Sequence, residues 1–284
     1  MTDRTITLTE AAERLGVHYM TAYRYVRTGR LPATKAGSTW RVDERDLEAV
    51  LARRGETDAG SPRRGRVDRV GRLESRLLAG DEPGSWAVVE DALAGGVEPA
   101  ELYLDVVAPA MARIGDGWAT GRVSVAEEHR ASVVVLRLIG RLGPRFARRG
   151  RTRGTVVVGA PPGDQHGVPA AMAADLLRGA GFSVVDLGAD CPASSFVDAA
   201  RSADRLVGVG VSATRSGNQA GISAVVEAVH HALDCPVVVG GQGVPDRAAG
   251  AATGADVTTT GALDLIEVFT RLADERRARP DERA

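Results

Sequence analysis

The sequence predicts a multidomain chain: a winged helix-turn-helix, then a helical bundle, then a doubly wound α/β domain. Three observations carry this reading. Residues 5–54 alternate short helical patterns with turn signals, and residues 67–149 keep helical periodicity with few β-branched runs. From Thr155 onward, short β-branched strands alternate with helices. A length of 284 residues also suits two or three domains, at roughly 100–200 residues each.

The C-terminal pattern is the clearest. The expected strands are 155–159 (TVVVG), 183–188 (SVVDLG), 206–212 (LVGVGVS) and 236–241 (PVVVGG), with a weaker one at 256–259. Helical stretches fall near 169–180, 193–203, 217–232 and 262–274. Continuous apolar strands separated by helices belong to a parallel sheet covered on both faces. This flavodoxin-like arrangement places ligands beyond the carboxyl ends of the strands. The domain boundaries read from the sequence are 1–54, a Gly-, Pro-, Ser- and charge-rich linker 55–66, then 67–150, 151–277 and a tail 278–284.

Composition excludes several classes. Hydrophobic residues make up 44% and charged residues 26%, an ordinary soluble composition, and the formal charge of -1 announces no bulk polyanion binder. A basic N-terminal segment offset by an acidic remainder stays compatible with that value. Lys35 is the only lysine, and every other basic residue is arginine or histidine. Cys191 and Cys235, the two cysteines, have neither disulfide-framework nor C-x-x-C spacing. No apolar run approaches the ~18 residues of a membrane span, and MTDRTITLTE lacks the apolar region of a signal peptide. The expectation is a cytoplasmic protein with no membrane partner.

In the N-terminal segment, Thr9 is expected to cap a helix over EAAERLGV, which Gly16 breaks. A second helix, His18 to Arg27, ends at Gly29. Ala11, Ala12, Leu15, Ala22 and Val26 have the spacing of two helices packed across a tight turn. Gly37-Ser38 then separates two short extended pieces, as in a wing, and a third helix begins at Asp43. The order T-x-x-E-A-A-x-x-L-G-V, R-x-G-x-L-P and G-x-x-W-R-V resembles the excisionase-like, MerR-type winged helix-turn-helix over about residues 5–52. The resemblance implies that helix 18–27 enters the major groove of a double-stranded DNA operator. His18, Tyr19, Thr21, Arg24 and Tyr25 are then its candidate contacts, with Arg27, Arg30, Lys35 and Arg41 on phosphates. Tyr23 and Trp40 read as core residues.

In the middle segment, Leu102, Val106, Ala110 and Ile114 form an apolar stripe. Gly115 and Gly117 are expected to stop that helix near Trp118. Ser124 and Glu127 form a capping box for the next helix, with Glu128 and His129 in its first turn. Trp118, nine residues, then Glu128-His129 resembles the W-x9-EH motif of CarH-type cobalamin photoreceptors, and the surrounding helices resemble a helical cap domain. The resemblance implies that Trp118, Glu128 and His129 enclose the adenosyl group of adenosylcobalamin. In that family a histidine after the Trp can take the cobalt after photolysis; here the position is Ala119.

The loop after the first C-terminal strand reads GAPPGDQHGVP. Neutral imidazole suits cobalt, a metal-bound histidine gives its other N–H to an acceptor, and Asp164 is near His166 in sequence. Gly163 and Gly167 permit unusual backbone angles and close approach to a large ring. The loop resembles the D-x-H-x-x-G motif of base-off, His-on cobalamin proteins, with Pro169 where that motif has its final Gly. Ser212-Ala213-Thr214 resembles S-x-L, with Thr214 in place of Leu, and Gly240-Gly241 matches the GG that leaves room for the nucleotide tail. Gly188 is expected to permit close packing. The resemblance implies cobalamin as cofactor, with His166 as cobalt ligand.

Taken together, the sequence leads to the expectation of a light-responsive, cobalamin-dependent transcriptional regulator. In this reading the adenosylcobalamin state sets assembly of a homo-oligomer, dimer or tetramer, and thereby DNA binding. No Ser/His/Asp or paired-carboxylate arrangement suggests catalysis, so the chain is not expected to be an enzyme. Two alternatives remain: a light-independent sensor of cobalamin supply, and a corrinoid carrier for methyl transfer.

Overall fold

The computed structural model describes residues 5–15, 22, 25–26, 31–36, 39–51, 68–148 and 150–278. The chain divides into two compact units, Met1–Val134 and Val135–Ala284.

The first unit begins with a small sheet and helix. Strands β1 (Thr5–Thr7), β2 (Thr34–Ala36) and β3 (Thr39–Asp43) pair antiparallel in the order β1-β3-β2. The helix Leu8–Leu15 starts two residues earlier than expected. Its cap is Thr7, not Thr9: Glu10 N–H donates to Thr7 Oγ1 (3.2 Å), and Thr7 N–H donates to Glu10 Oε2 (2.8 Å). That reciprocal pair satisfies two backbone donors at once, which a cap at Thr9 does not. These hydrogen bonds from Thr7, backbone first, hold the Glu10 carboxyl below its usual range. Residues 44–51 are helical after Asp43, whose Oδ1 accepts from Arg45 N–H. Ile6, Leu8, Ala11, Ala12, Leu15, Ala22, Tyr25, Leu31, Val42, Leu47 and Val50 form the core of this segment, with Trp40 packed against it.

The helical part of this unit runs through Arg69–Ala79, Glu82–Ala94, Pro99–Leu102 and Ala108–Ala119. A π-helical turn, Tyr103–Val107, joins the last two. Leu102, Val106, Ala110 and Ile114 are all buried, as their spacing predicts. The helix ends near Trp118 as expected, at Ala119, but Gly115 and Gly117 lie within it and do not stop it. Glycine inside a helix costs only about 1 kcal/mol relative to alanine, which burial of the stripe overrides. Gly117 has a packing reason instead, because a Cβ there would press within 2.6 Å of the Val123 side chain folding back over it. The helix Val125–Leu142 follows. Its capping box forms as expected, with Ser124 N–H donating to Glu127 Oε2 (2.9 Å) and Glu127 N–H to Ser124 Oγ (3.3 Å). Arg130 donates to the Leu78 carbonyl at the end of the first of these helices.

The second unit holds a five-stranded, all-parallel sheet in the order β5-β4-β6-β7-β8. Its strands are β4 (Thr155–Gly159), β5 (Ser183–Asp186), β6 (Leu206–Ser212), β7 (Val237–Gly240) and β8 (Val257–Thr259). Alternate residues supply two cores. Val157, Val209, Val211, Val237 and Val239 pack with Phe196, Ile222 and Val225 from helices Ala193–Ser202 and Gln219–Ala232. Val156, Val158, Val207 and Val238 pack with Leu177, Val268 and Phe269 from helices Gly167–Gly179 and Ala262–Ala278. One short helix, Arg247–Ala251, has no counterpart in the sequence reading. In this strand order the chain leaves β4 toward one neighbour and reaches β6 on the other side. The loops after β4 and β6 therefore part at the carboxyl edge, where such folds bind ligands.

Candidate functional site

The loop after β4 carries Asp164 and His166 to that carboxyl edge. Asp164 is fully buried, and His166 keeps half of its side chain exposed. Asp164 Oδ1 lies 2.7 Å from His166 Nδ1 and accepts from His166 N–H (3.1 Å). Its other oxygen accepts from Thr214 N–H (2.6 Å) and Arg215 N–H (2.9 Å), in the loop after β6. Burial is the largest single influence on this carboxyl and pushes its pKa up. The Arg215, Thr214 and His166 donors together outweigh it, so the group is held below its usual range. An ionised Asp164 accepts from a protonated Nδ1, and a neutral ring with that proton carries its lone pair on Nε2. This is the arrangement of a pre-oriented imidazole ligand.

The other predicted cofactor residues of this unit fall around the same edge. Gly163 turns at φ +81°, a conformation that glycine adopts without strain. Gly167 has no positive φ, and an added Cβ would meet only Ala189 at ordinary distance. Gly188 accepts from Ala160 N–H, and nothing lies near where its Cβ would project, so it bounds open space rather than a tight contact. Ser212 pairs with Gly240 across β6 and β7. Thr214 acts here through its backbone amide. Gly240 and Gly241 are explained by the protein itself: a Cβ would strike Thr259 at the first and the Ala213 carbonyl at the second. Close strand and loop packing thus requires these glycines whether or not a nucleotide tail passes them.

Residues that the sequence reading missed complete the loop. Asp190 Oδ1 accepts from Gly163 N–H (2.7 Å), Arg215 Nη1 donates to Gly163 O (3.0 Å), and Asn218 Nδ2 donates to Pro162 O (2.9 Å). Asp190 itself has φ +50°, an unusual value for a residue with a side chain. No sequence signal pointed to these three, because each bonds a backbone atom.

In the first unit, Trp118 stands 51% exposed near the end of its helix. Glu128 Oε2 lies 2.9 Å from His129 Nδ1, and Glu128 Oε1 accepts from Ser132 Oγ (2.8 Å). His129 is largely exposed. Of the expected DNA contacts, Tyr25 is corrected: it is 6% exposed and belongs to the segment's core with Leu31 and its neighbours, so its ring is withdrawn from the surface. Arg41 is exposed on β3. Lys35 lies in β2, with its side chain outside the described residues. His18, Tyr19, Thr21, Arg24, Arg27 and Arg30 also lie outside the described residues.

Three family models match the chain. A helix-turn-helix domain matches residues 5–55, and B12 binding domains match residues 70–142 and 154–266. Among curated proteins, the chain is similar to trimethylamine corrinoid protein 2 of Methanosarcina mazei, 29% identical over 47% of this chain and 62% of the relative. It is also similar to trimethylamine corrinoid protein 1 of Methanosarcina acetivorans, 30% identical over 45% of this chain and 61% of the relative. The alignments thus span less than two thirds of these relatives. The solved monomethylamine corrinoid protein of Methanosarcina barkeri shares the fold, with a TM-score of 0.64 at 19% identity over 73% of this chain and 100% of its own.

These comparisons overturn the expectation of a light-responsive transcriptional regulator. The relatives are corrinoid proteins, not transcriptional regulators, and they give no support to a light response. They leave the cofactor expectation standing in its general form, a cobalamin. No helix among the described residues is long and apolar enough to cross a membrane. The chain thus joins a helix-turn-helix segment to two successive B12-binding segments.

Proposed function

We propose that this chain is a corrinoid carrier for methyl transfer, in which His166 Nε2 is the lower ligand of the cobalt. The observation that carries the reading is the 2.7 Å contact between Nδ1 of the half-exposed His166 and a buried Asp164 carboxylate, which orients the ring through Nδ1 and leaves Nε2 for ligation. The B12 binding domain match over residues 154–266 and the named corrinoid relatives support it. When bound, the corrinoid supplies a cobalt centre able to accept and release a methyl group. The chain's part is to hold that centre through both states. Asp164 keeps His166 in the ligating tautomer, and the loops after β4 and β6 present it at the sheet edge.

The test is the full chain labelled with 15N-histidine and loaded with cobalamin in the Co(II) state. Electron paramagnetic resonance should show the splitting of one 15N ligand, lost in His166→Ala. A 14N pattern in the labelled protein would mean that the cofactor's own base remains on cobalt and would remove the assignment. Reduction followed by methyl iodide should methylate the cobalt with the cofactor still bound; release during that cycle would argue against carriage.

A second reading of the cofactor, as adenosylcobalamin, is favoured by the exposed Trp118 indole, a flat surface suited to an adenosyl group. Competition between methyl- and adenosylcobalamin separates the two. The helix-turn-helix match and the exposed Arg41 support duplex DNA as a further partner. Fluorescence anisotropy with a random-sequence duplex should show affinity falling as salt rises, and Arg41→Ala should lower the salt slope.

A further inference from the structure

We propose that Arg215 and Asp190 are positioning residues that together set how firmly His166 holds cobalt, acting through the Gly163 backbone. The proposal rests on the corrinoid-holding reading above and adds residues to it.

The polar backbone atoms leading into Asp164 are all held. Pro162 O accepts from Asn218, Gly163 N–H donates to Asp190, and Gly163 O accepts from Arg215. Asp164 N–H donates to Pro161 O, and Asp164 O accepts from Asp190 N–H. Pro161 and Pro162 offer no N–H of their own. The two charged side chains approach from different loops, Asp190 after β5 and Arg215 after β6, which flank β4 on either side. They grip Gly163 like two jaws, at 2.7 and 3.0 Å. Gly163 sits at φ +81° and has little intrinsic preference for that angle, so its conformation is fixed by these partners. A shift of Gly163 moves Asp164 and His166 next to it in the chain.

Exposure decides when the jaws matter. Asp190, Gly163 and Arg215 all lie at the surface of the protein alone. Hydrogen bonds there compete with water and contribute little to folding. A macrocycle ligated by His166 would shield the adjoining exposed loop from water, and the same bonds would strengthen as the local dielectric fell. The jaws therefore stabilise the ligated state far more than the empty one. This distinguishes them from Asp164, which is buried before any cofactor arrives.

The experiment uses the full chain with Asp190→Gly, which keeps the positive φ while removing the carboxylate, and Arg215→Met, which keeps a long side chain without a donor. Asp190→Asn and Arg215→Lys, which keep an acceptor and a donor, are the rescue variants. Each is loaded with cobalamin, reduced to Co(II), and read by the 15N-histidine splitting and the rate of cofactor loss on dilution. Asp190→Gly and Arg215→Met should each lose cofactor about 10-fold faster or more, the usual scale for outer partners of a metal ligand, with a reduced histidine-bound fraction. The two rescue variants should recover most of it. Thermal unfolding of the empty variants should stay within about 2 °C of the parent, as for surface substitutions. Parental splitting and loss rates in both disruptive variants would overturn the proposal, as would an equal loss of stability in the empty protein. Absence of histidine splitting in the parent itself would instead remove the underlying reading.

Discussion

Asp164→Asn separates the ligand's orientation from its presence. In the parent, one carboxylate takes four contacts: Thr214 N–H and Arg215 N–H on one oxygen, His166 N–H and Nδ1 on the other. An amide has one acceptor oxygen and one donor nitrogen. If the nitrogen faces Thr214 and Arg215, two backbone donors meet a third. The cheaper orientation keeps the oxygen there and turns the NH2 toward His166. The His166 backbone N–H then loses its acceptor, and the Asn NH2 donates to Nδ1. The proton is forced onto Nε2, the atom that has to ligate cobalt. One charged hydrogen bond is lost and three become neutral, the one to Nδ1 with its direction reversed, while the cost of burying the carboxylate is relieved. At about 1.5–3 kcal/mol for a bond to a charged group and about 1 for a neutral one, the net is about 2–3 kcal/mol. For a unit of this size that lowers Tm by about 5–10 °C. Cobalamin retention should fall by at least about 10-fold, because ligation now requires breaking the Asn–His contact. Circular dichroism melting and the 15N-histidine splitting are the assays. A folded Asp164→Asn protein with parental splitting and parental retention would refute the tautomer argument.

The same carboxylate gives a pH prediction. Its folded pKa lies below the usual 3.8, so its stabilisation is full above that value and is lost as pH falls through the folded pKa. The parent should therefore lose stability more steeply than Asp164→Asn in melts below about pH 4. Gly241→Ala should destabilise the second unit and abolish cofactor retention, since its Cβ would strike the Ala213 carbonyl at a φ of +113°. A soluble Gly241→Ala protein with the parental Tm would contradict the packing explanation. Cys235 is 7% exposed, and burial pushes its thiol up to about 11. It should react with a thiol reagent at pH 8 only after denaturation; rapid labelling of the native protein would count against the buried position.

Sequence and structure contributed differently, and the division has a physical cause. The sheet was legible because buried parallel strands need continuous β-branched runs, and 155–159 and 206–212 can be read in no other way as easily. The Asp164–His166 pair was legible because both side chains lie two residues apart and carry distinctive chemistry. Helix ends were less so: Thr7 and Thr9 are equivalent as letters, and only the reciprocal bond to Glu10 distinguishes them. Tyr25 looked like a groove contact on a basic helix, until burial against Leu31 and its neighbours placed it in the core.

By itself, then, the sequence determined the strands of the α/β unit, the two-sided parallel sheet and the histidine loop at its carboxyl edge. Hydrophobic period and side-chain chemistry are local properties, written where they act. Tertiary structure alone decided what holds that loop: amides of Thr214 and Arg215 fifty residues away, and the side chains of Asp190, Arg215 and Asn218 on backbone atoms. Every residue but proline carries the same backbone donor and acceptor, so no letter marks which of them the fold will bring into use.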